Sequence, residues 1–164
     1  MPDLSQLLRD PQVDALLRVV VAGVLSALIG VEREVQGKSA GLRTYVLVGM
    51  GAAGFMAVGT ILFGAGDPGS RIGQGIITGI GFLGAGIILH TKRRVIGLTT
   101  AAGIWVAAVI GVAIGGGLYI VGVGVAVAVL LVLQLDRLER ALHARRAHRD
   151  GAPAGSDELR GPEG

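Results

Sequence analysis

Cysteine is absent from this chain of 164 residues. That excludes disulfides, thiolate metal sites and a thiol nucleophile. Charge is scarce as well, at 16% of residues, where a soluble domain usually carries about 25%. The three histidines, His90, His143 and His148, are too scattered for a metal site. Carboxylates near the apolar segments are limited to Asp14, Glu32, Glu34, Asp67 and Asp136, with no two expected to be buried together. Hard divalent cations want several oxygen ligands, so no dedicated protein cage for Mg²⁺ or Ca²⁺ is expected. No nucleophile-and-base set is visible either. The expectation is a protein that is not an enzyme and needs no cofactor or resident metal.

What the chain does have is apolar length. Hydrophobic residues make up 51%, and the mean hydropathy is +0.66. They come in long runs rather than amphipathic stripes, which points to an integral membrane protein. Glycine occurs 29 times, more than twice the usual ~7%. No G-X-Y period accompanies it, so collagen is excluded. Glycine inside long apolar segments suggests closely packed membrane helices. The pI near 10.0 does not argue for nucleic acid, because the basic residues flank apolar spans, where membrane topology accounts for them.

The stretch from Ile72 to Trp105 organises the rest. Ile72–Leu89 carries no formal charge and has about the length of a spanning helix. Lys92-Arg93-Arg94 follows, and a second apolar segment opens on Gly97-Leu98-Thr99-Thr100. Earlier, residues 1–12 form a polar lead without the features of a cleaved signal peptide. A first span covers Val13–Val31, with a small-residue row at Ala22, Ser26 and Gly30. Glu32–Arg43 reads as a charged connector. A second span covers Leu42–Phe63, and Gly64–Arg71 is a turn in which Asp67-Pro68 suits a helix start.

Val95–Leu135 is uncharged. One straight helix of that length would run ~60 Å, twice the ~30 Å hydrocarbon core. It must fold back, and Gly115-Gly116-Gly117 is the evident place. That gives a fourth span, Gly97–Ile114, and a fifth, Leu118–Leu135. Residues 13–135 then form one transmembrane domain. Residues 136–150 form a basic helix carrying Arg137, Arg140, Arg145 and Arg146, suited to an anionic membrane face. Residues 151–164 are Gly/Pro-rich and polar, a disordered tail.

The fold class expected is therefore all-α, with five transmembrane helices. Basic residues crowd the first and third connectors and the tail, Lys92, Arg93 and Arg94 among them. The positive-inside rule places these in the cytoplasm and the N-terminus outside. The localisation expected is multi-pass in a bacterial inner membrane. Sliding the first hairpin along the sequence lays Gly23 on Gly79, Gly30 on Gly86 and Gly41-Leu42 on Gly97-Leu98. The alignment suggests a parallel repeat of spans 1–2 in spans 3–4. Transporters built from such repeats place sites at the repeat interface.

Candidate chemistry sits at the helix ends. Arg43-Thr44 and Thr99-Thr100 fall at two helix starts, where partial positive charge can hold an anion, though plain capping of the free N–H groups is the reading the sequence favours. Glu32 and Arg33 follow the first span directly and read either as a solvated loop pair or as lining a polar cavity. Gln74 lies one turn into the third span, suited to an interhelical hydrogen bond. These residues form the candidate polar cluster. Gly79, Gly81, Gly84, Gly86, Gly103, Gly111 and Trp105 are expected in helix packing. GIGFLGAG lacks the Lys-Ser/Thr that a phosphate loop requires.

Three stretches, GVEREVQGKSAGLRTYVLVGMGA, DPGSRIGQGIITGIGFLGAGIIL and IGLTTAAGIWVAAVIGVAIGGG, together resemble the MgtC/SapB family of membrane proteins. The resemblance runs from about Gly23 to about Leu135. It implies an inner-membrane protein of five spans, tied to adaptation to low magnesium and to stress. Family members were first described as candidate Mg²⁺ transporters. For those studied most, regulation of another membrane protein is favoured, notably the F-type ATP synthase. Matching positions include Glu32, Arg33, Arg43, Thr44, Arg71, Gly79, Phe82, Thr100 and Trp105. Thr99 stands where other members look to have Asn. The ACT-like C-terminal domain of several members is not expected here, so functions resting on it are not carried over.

Three readings follow. The first is a modulator of another membrane protein, embedded among anionic lipids and able to self-associate as a homo-oligomer. The second is a transporter or channel for Mg²⁺ or a small ion, with its site between the GLRT and GLTT helix starts. An intramembrane enzyme comes last.

Overall fold

A computed structural model describes residues 10–64, 67–90 and 95–150. Its helices are α1 (Pro11–Val35), α2 (Leu42–Phe63), α3 (Asp67–Ile87), α4 (Leu98–Gly115) and α5 (Tyr119–Asp150). Between α3 and α4 lie β1 (Leu89–His90) and β2 (Val95–Ile96), paired antiparallel with Leu89 opposite Ile96. Among the described residues, α1, α2 and α4 are long and apolar enough to cross a membrane. The apolar part of α5 is the shorter segment Tyr119–Leu135. The all-α, membrane-protein fold class expected from sequence is the one observed.

The ends of the helices follow from their sequences. Asp10 caps α1: its Oδ1 accepts from the Gln12 N–H at 2.8 Å, and Pro11 takes the first helical position, where its missing N–H costs nothing. Thus α1 begins at Pro11 rather than Val13. It also ends later than its apolar run. Glu32, Arg33, Glu34 and Val35 are helical, so the expected connector is shorter. The chain leaves α1 through Gly37 (φ 64), with Gly37 N–H on the Glu34 carbonyl and Lys38 N–H on the Arg33 carbonyl. The same paired pattern closes α4. There Gly117 N–H meets the Ile114 carbonyl and Leu118 N–H the Ala113 carbonyl. Both are Schellman endings, which favour a left-handed glycine just past the helix. The fold-back expected at the triple glycine is therefore present, its turn falling on Gly116-Gly117.

The contacts among α1, α2 and α4 form the core of a unit spanning Met1–Leu130. Residues Leu131–Gly164 form a second unit, in which the backbone of α5 continues to Asp150. Within the first unit, small residues let backbones approach. A Cβ on Gly30 would stand 2.7 Å from the Leu42 Cα, and one on Gly115 would stand 2.8 Å from the Ala53 Cα. A Cβ on Gly111 would collide with the Gly49 carbonyl oxygen, and one on Gly49 with the Ser26 hydroxyl. Ala22, Ile29, Ala53, Ala107, Ile110 and Ile114 fill the space between. In lipid, hydrophobic burial between helices is weak, so this close van der Waals contact carries the packing.

Arg18 ties α1 to the end of α4. Its Nη1 donates to the Gly115 carbonyl at 3.0 Å, and its Nη2 pairs with Asp14 at 2.6 Å. A cation on the last carbonyls of a helix meets the negative end of its dipole. Arg18→Ala is expected to cost about 1–2 kcal/mol, read as a lower midpoint of thermal unfolding in detergent.

Helix α3 packs differently. Near its start Ile72 fills the space over Gly59 of α2, and near its end Gly84 lies 3.7 Å from the Ala101 Cβ, measured from where its own Cβ would stand. In between, Gly73, Gly75, Gly79 and Gly81 have, among the described residues, no atom of another element within 4 Å of where a side chain would start.

Candidate functional site

The small-residue row of α1 continues one turn beyond Gly30 and ends in Arg33. Because that turn is helical, Arg33 points inward. It is 1% exposed. The expectation of a solvated loop pair therefore fails at Arg33: residues 26, 30 and 33 share one face, and that face is packed. Nη2 of Arg33 donates to the Thr100 Oγ1 at 3.1 Å. Thr100 lies in the first turn of α4 and is also buried. Two of the expected cluster residues, from distant parts of the sequence, thus meet inside the α1–α2–α4 core.

Tyr45 joins them from the first turn of α2. It is fully buried and close enough to Arg33 for the two to interact electrostatically. Its hydroxyl occupies the space a Gly103 side chain would need, which gives Gly103 its place in the packing. Among the described residues the Arg33 Nε and Nη1 have no hydrogen-bond partner, and the Tyr45 hydroxyl, though it lies near the guanidinium, makes no bond of good geometry. The Ser26 hydroxyl, two turns deeper on the Arg33 face, has none either. Buried polar groups are nearly always paired, so this concentration of unpaired groups marks the site.

Electrostatics sharpen the picture. The start of α2 takes a carboxylate: Glu34 Oε2 accepts from the Leu42 N–H at 2.8 Å. The start of α4 does not. Its cap is Gly97 (φ 94), with no side chain to offer the free N–H groups an acceptor. A side chain at Gly97 would strike the Ile87 carbonyl oxygen, so the close approach of α3 and α4 leaves this cap bare. The group that reaches the bare helix start is a guanidinium.

The remaining candidates lie apart. Arg43, Thr44 and Thr99 are exposed, as is Gln74 on α3. Glu32 is half-buried, its Oε1 accepting from Gln36 Nε2 at 2.7 Å. Gly103 and Gly111 are packed, whereas Gly79, Gly81 and Gly86 face open space and Trp105 is 44% exposed. Lys92, Arg93 and Arg94 lie outside the described residues. Arg137, Arg140, Arg145 and Arg146 belong to the backbone of α5, and their side chains fall outside what is described. Among the described residues no three His, Cys, Asp or Glu side chains gather as a metal site. Sequence reasoning missed Tyr45 and Glu34. Extending the Ala22-Ser26-Gly30 row by one turn would have marked Arg33 as inward-facing, but Tyr45 reads as one more apolar residue in an apolar span.

A second feature is a groove of about 670 Å³ between α2 and α3. Phe55, Leu47, Ile76 and Leu83 form its walls, and Gly51, Gly75 and Gly79 open its floor.

Comparison with known proteins places the chain. Residues 19–141 match the MgtC family. YhiD of Escherichia coli (strain K12), named as a candidate magnesium transporter, is 46% identical over 127 residues, covering 73% of this chain and 59% of YhiD. SrpB of Synechococcus elongatus is 42% identical over 144 residues, covering 79% of each. MgtC of Brucella abortus (strain 2308) is 42% identical over 121 residues, covering 74% of this chain and 49% of MgtC. The match thus spans about three fifths of YhiD and half of that MgtC. No solved structure matches. With several apolar helices and a family match over most of its length, the chain belongs to the MgtC family and is a multi-pass membrane protein.

Proposed function

We propose that this chain is a non-enzymatic regulator of another integral membrane protein, acting in adaptation to low magnesium or related stress. The observation that carries the reading is the open α2–α3 groove. A groove with glycine on its floor admits a neighbouring helix closely, and such small-residue surfaces drive association in lipid. The described residues leave this one uncovered: Gly79 in its floor has no neighbour, and Phe82, further along α3, is 81% exposed. The magnesium setting comes from the naming of YhiD and from the family resemblance. That resemblance also makes the F-type ATP synthase the first partner to test. In this reading the N-terminus is outside and the α5 tail cytoplasmic, held at anionic lipid.

The test is recovery of the tagged full chain from gently solubilised bacterial membranes. A single integral membrane protein in 1:1 ratio is the expected result. Recovery of no partner, together with Mg²⁺ flux in liposomes holding the purified chain alone, would replace this reading with the transporter.

A further inference from the structure

We propose that Arg33 and the first turn of α4 bind a phosphate oxyanion. The inference is independent of the groove and would stand if the regulatory reading fell. Arg33 is almost wholly buried, and among the described residues only its Nη2 makes a hydrogen bond of good geometry, to the Thr100 hydroxyl. Among the described residues no carboxylate is hydrogen-bonded to it; the Arg18–Asp14 ion pair lies at the other end of α1. A charge removed from solvent without a counter-charge is strongly disfavoured.

The surroundings make the imbalance worse. Thr100, whose hydroxyl Arg33 bonds, lies in the first turn of α4, the positive end of that helix, and Gly97 offers its N–H groups no capping side chain. Two positive groups brought together in a packed core are mismatched. With an oxyanion between them, both gain a counter-charge. The start of α2 supplies the contrast within the same core. There a carboxylate, Glu34, already occupies the helix start.

The chemistry fits phosphate. A guanidinium carries five N–H donors in a fixed fork. Nη2 keeps a second hydrogen after bonding Thr100, so one edge of the group can still offer a pair of bonds to adjacent phosphate oxygens. The backbone N–H groups of α4 add donors suited to the same anion, and the Tyr45 hydroxyl lies by Arg33 and Gly103. Free phosphate and the phosphodiester of an anionic lipid share this chemistry.

The test uses the full chain purified in detergent. Inorganic phosphate is titrated against chloride at matched ionic strength, and the thermal unfolding midpoint is followed. In parallel, the chain in nanodiscs of phosphatidylcholine with phosphatidylglycerol is released into a native mass spectrometer. A phosphate-specific rise in the midpoint identifies a soluble oxyanion. One retained phosphatidylglycerol without that rise identifies the lipid headgroup. Arg33→Lys keeps the charge but loses the fork, and should weaken either response at least tenfold. Thr100→Val, which removes the hydroxyl that orients Arg33, serves if Arg33→Lys does not fold. No response to either probe in the wild type overturns the proposal. So does a response left unchanged by the variants.

Discussion

Gly111→Leu is expected to take apart the α2–α4 contact and lower stability by about 3 kcal/mol or more. Two terms oppose each other. Leucine is the better helix former, by roughly 0.8 kcal/mol over glycine. Against that, overpacking a tight core costs about 1–3 kcal/mol, occasionally more. Here the upper end applies, because the obstacle is main chain. A Cβ at Gly111 meets the Gly49 carbonyl oxygen and stands 3.0 Å from the Ala53 backbone nitrogen. No rotamer change moves either atom aside. Relief requires α4 to shift away from α2, which would also open the Tyr45–Gly103 contact and draw Thr100 from Arg33. Thermal unfolding in detergent should show the loss. Unchanged stability would mean that α2 and α4 are not packed as described.

Gly79→Leu, the same change on the open face, is expected to leave stability unchanged or slightly raised. Nothing lies within 4 Å of where its side chain would start, so only the gain in helix propensity remains. Its effect should appear in association. A leucine there fills part of the glycine floor of the α2–α3 groove and keeps a partner helix from close approach. Recovery of the membrane partner should fall at least tenfold, about 1.4 kcal/mol in binding, with the chain still folded and inserted. Undiminished recovery would place the partner on another face. The two leucine variants separate glycines that close the protein's own core from glycines left for something else.

That separation was not legible in the sequence. Gly103, Gly111 and Gly115 recur at helical spacing, and so do the glycines of α3. Spacing shows that a helix has a small-residue face, but not whether the chain supplies its partner. The helices themselves were legible, because uncharged runs of bilayer length have few alternatives in a chain this apolar. So was the turn at Gly116-Gly117, forced by an uncharged run too long for one crossing. The pairing of Leu89 with Ile96 was not, because a two-residue ladder leaves no period to read. Arg33 and Thr100 were each marked by their place at helix ends. That they bond depended on α1 running one turn past its apolar segment, which a hydropathy boundary hides. Glu34, a cap reaching across from the preceding helix, left no local signature at all.

The proposed regulation requires a partner membrane protein on the α3 face that the described residues leave uncovered. Placing a photoreactive residue at position 82, with position 104 as a control, tests this directly. Phe82 is 81% exposed and Ile104 is 1% exposed. In native membranes, position 82 should crosslink to one discrete integral membrane protein, and position 104 only within the chain itself. Crosslinks from position 82 to lipid alone, or from position 104 to other proteins, would contradict it.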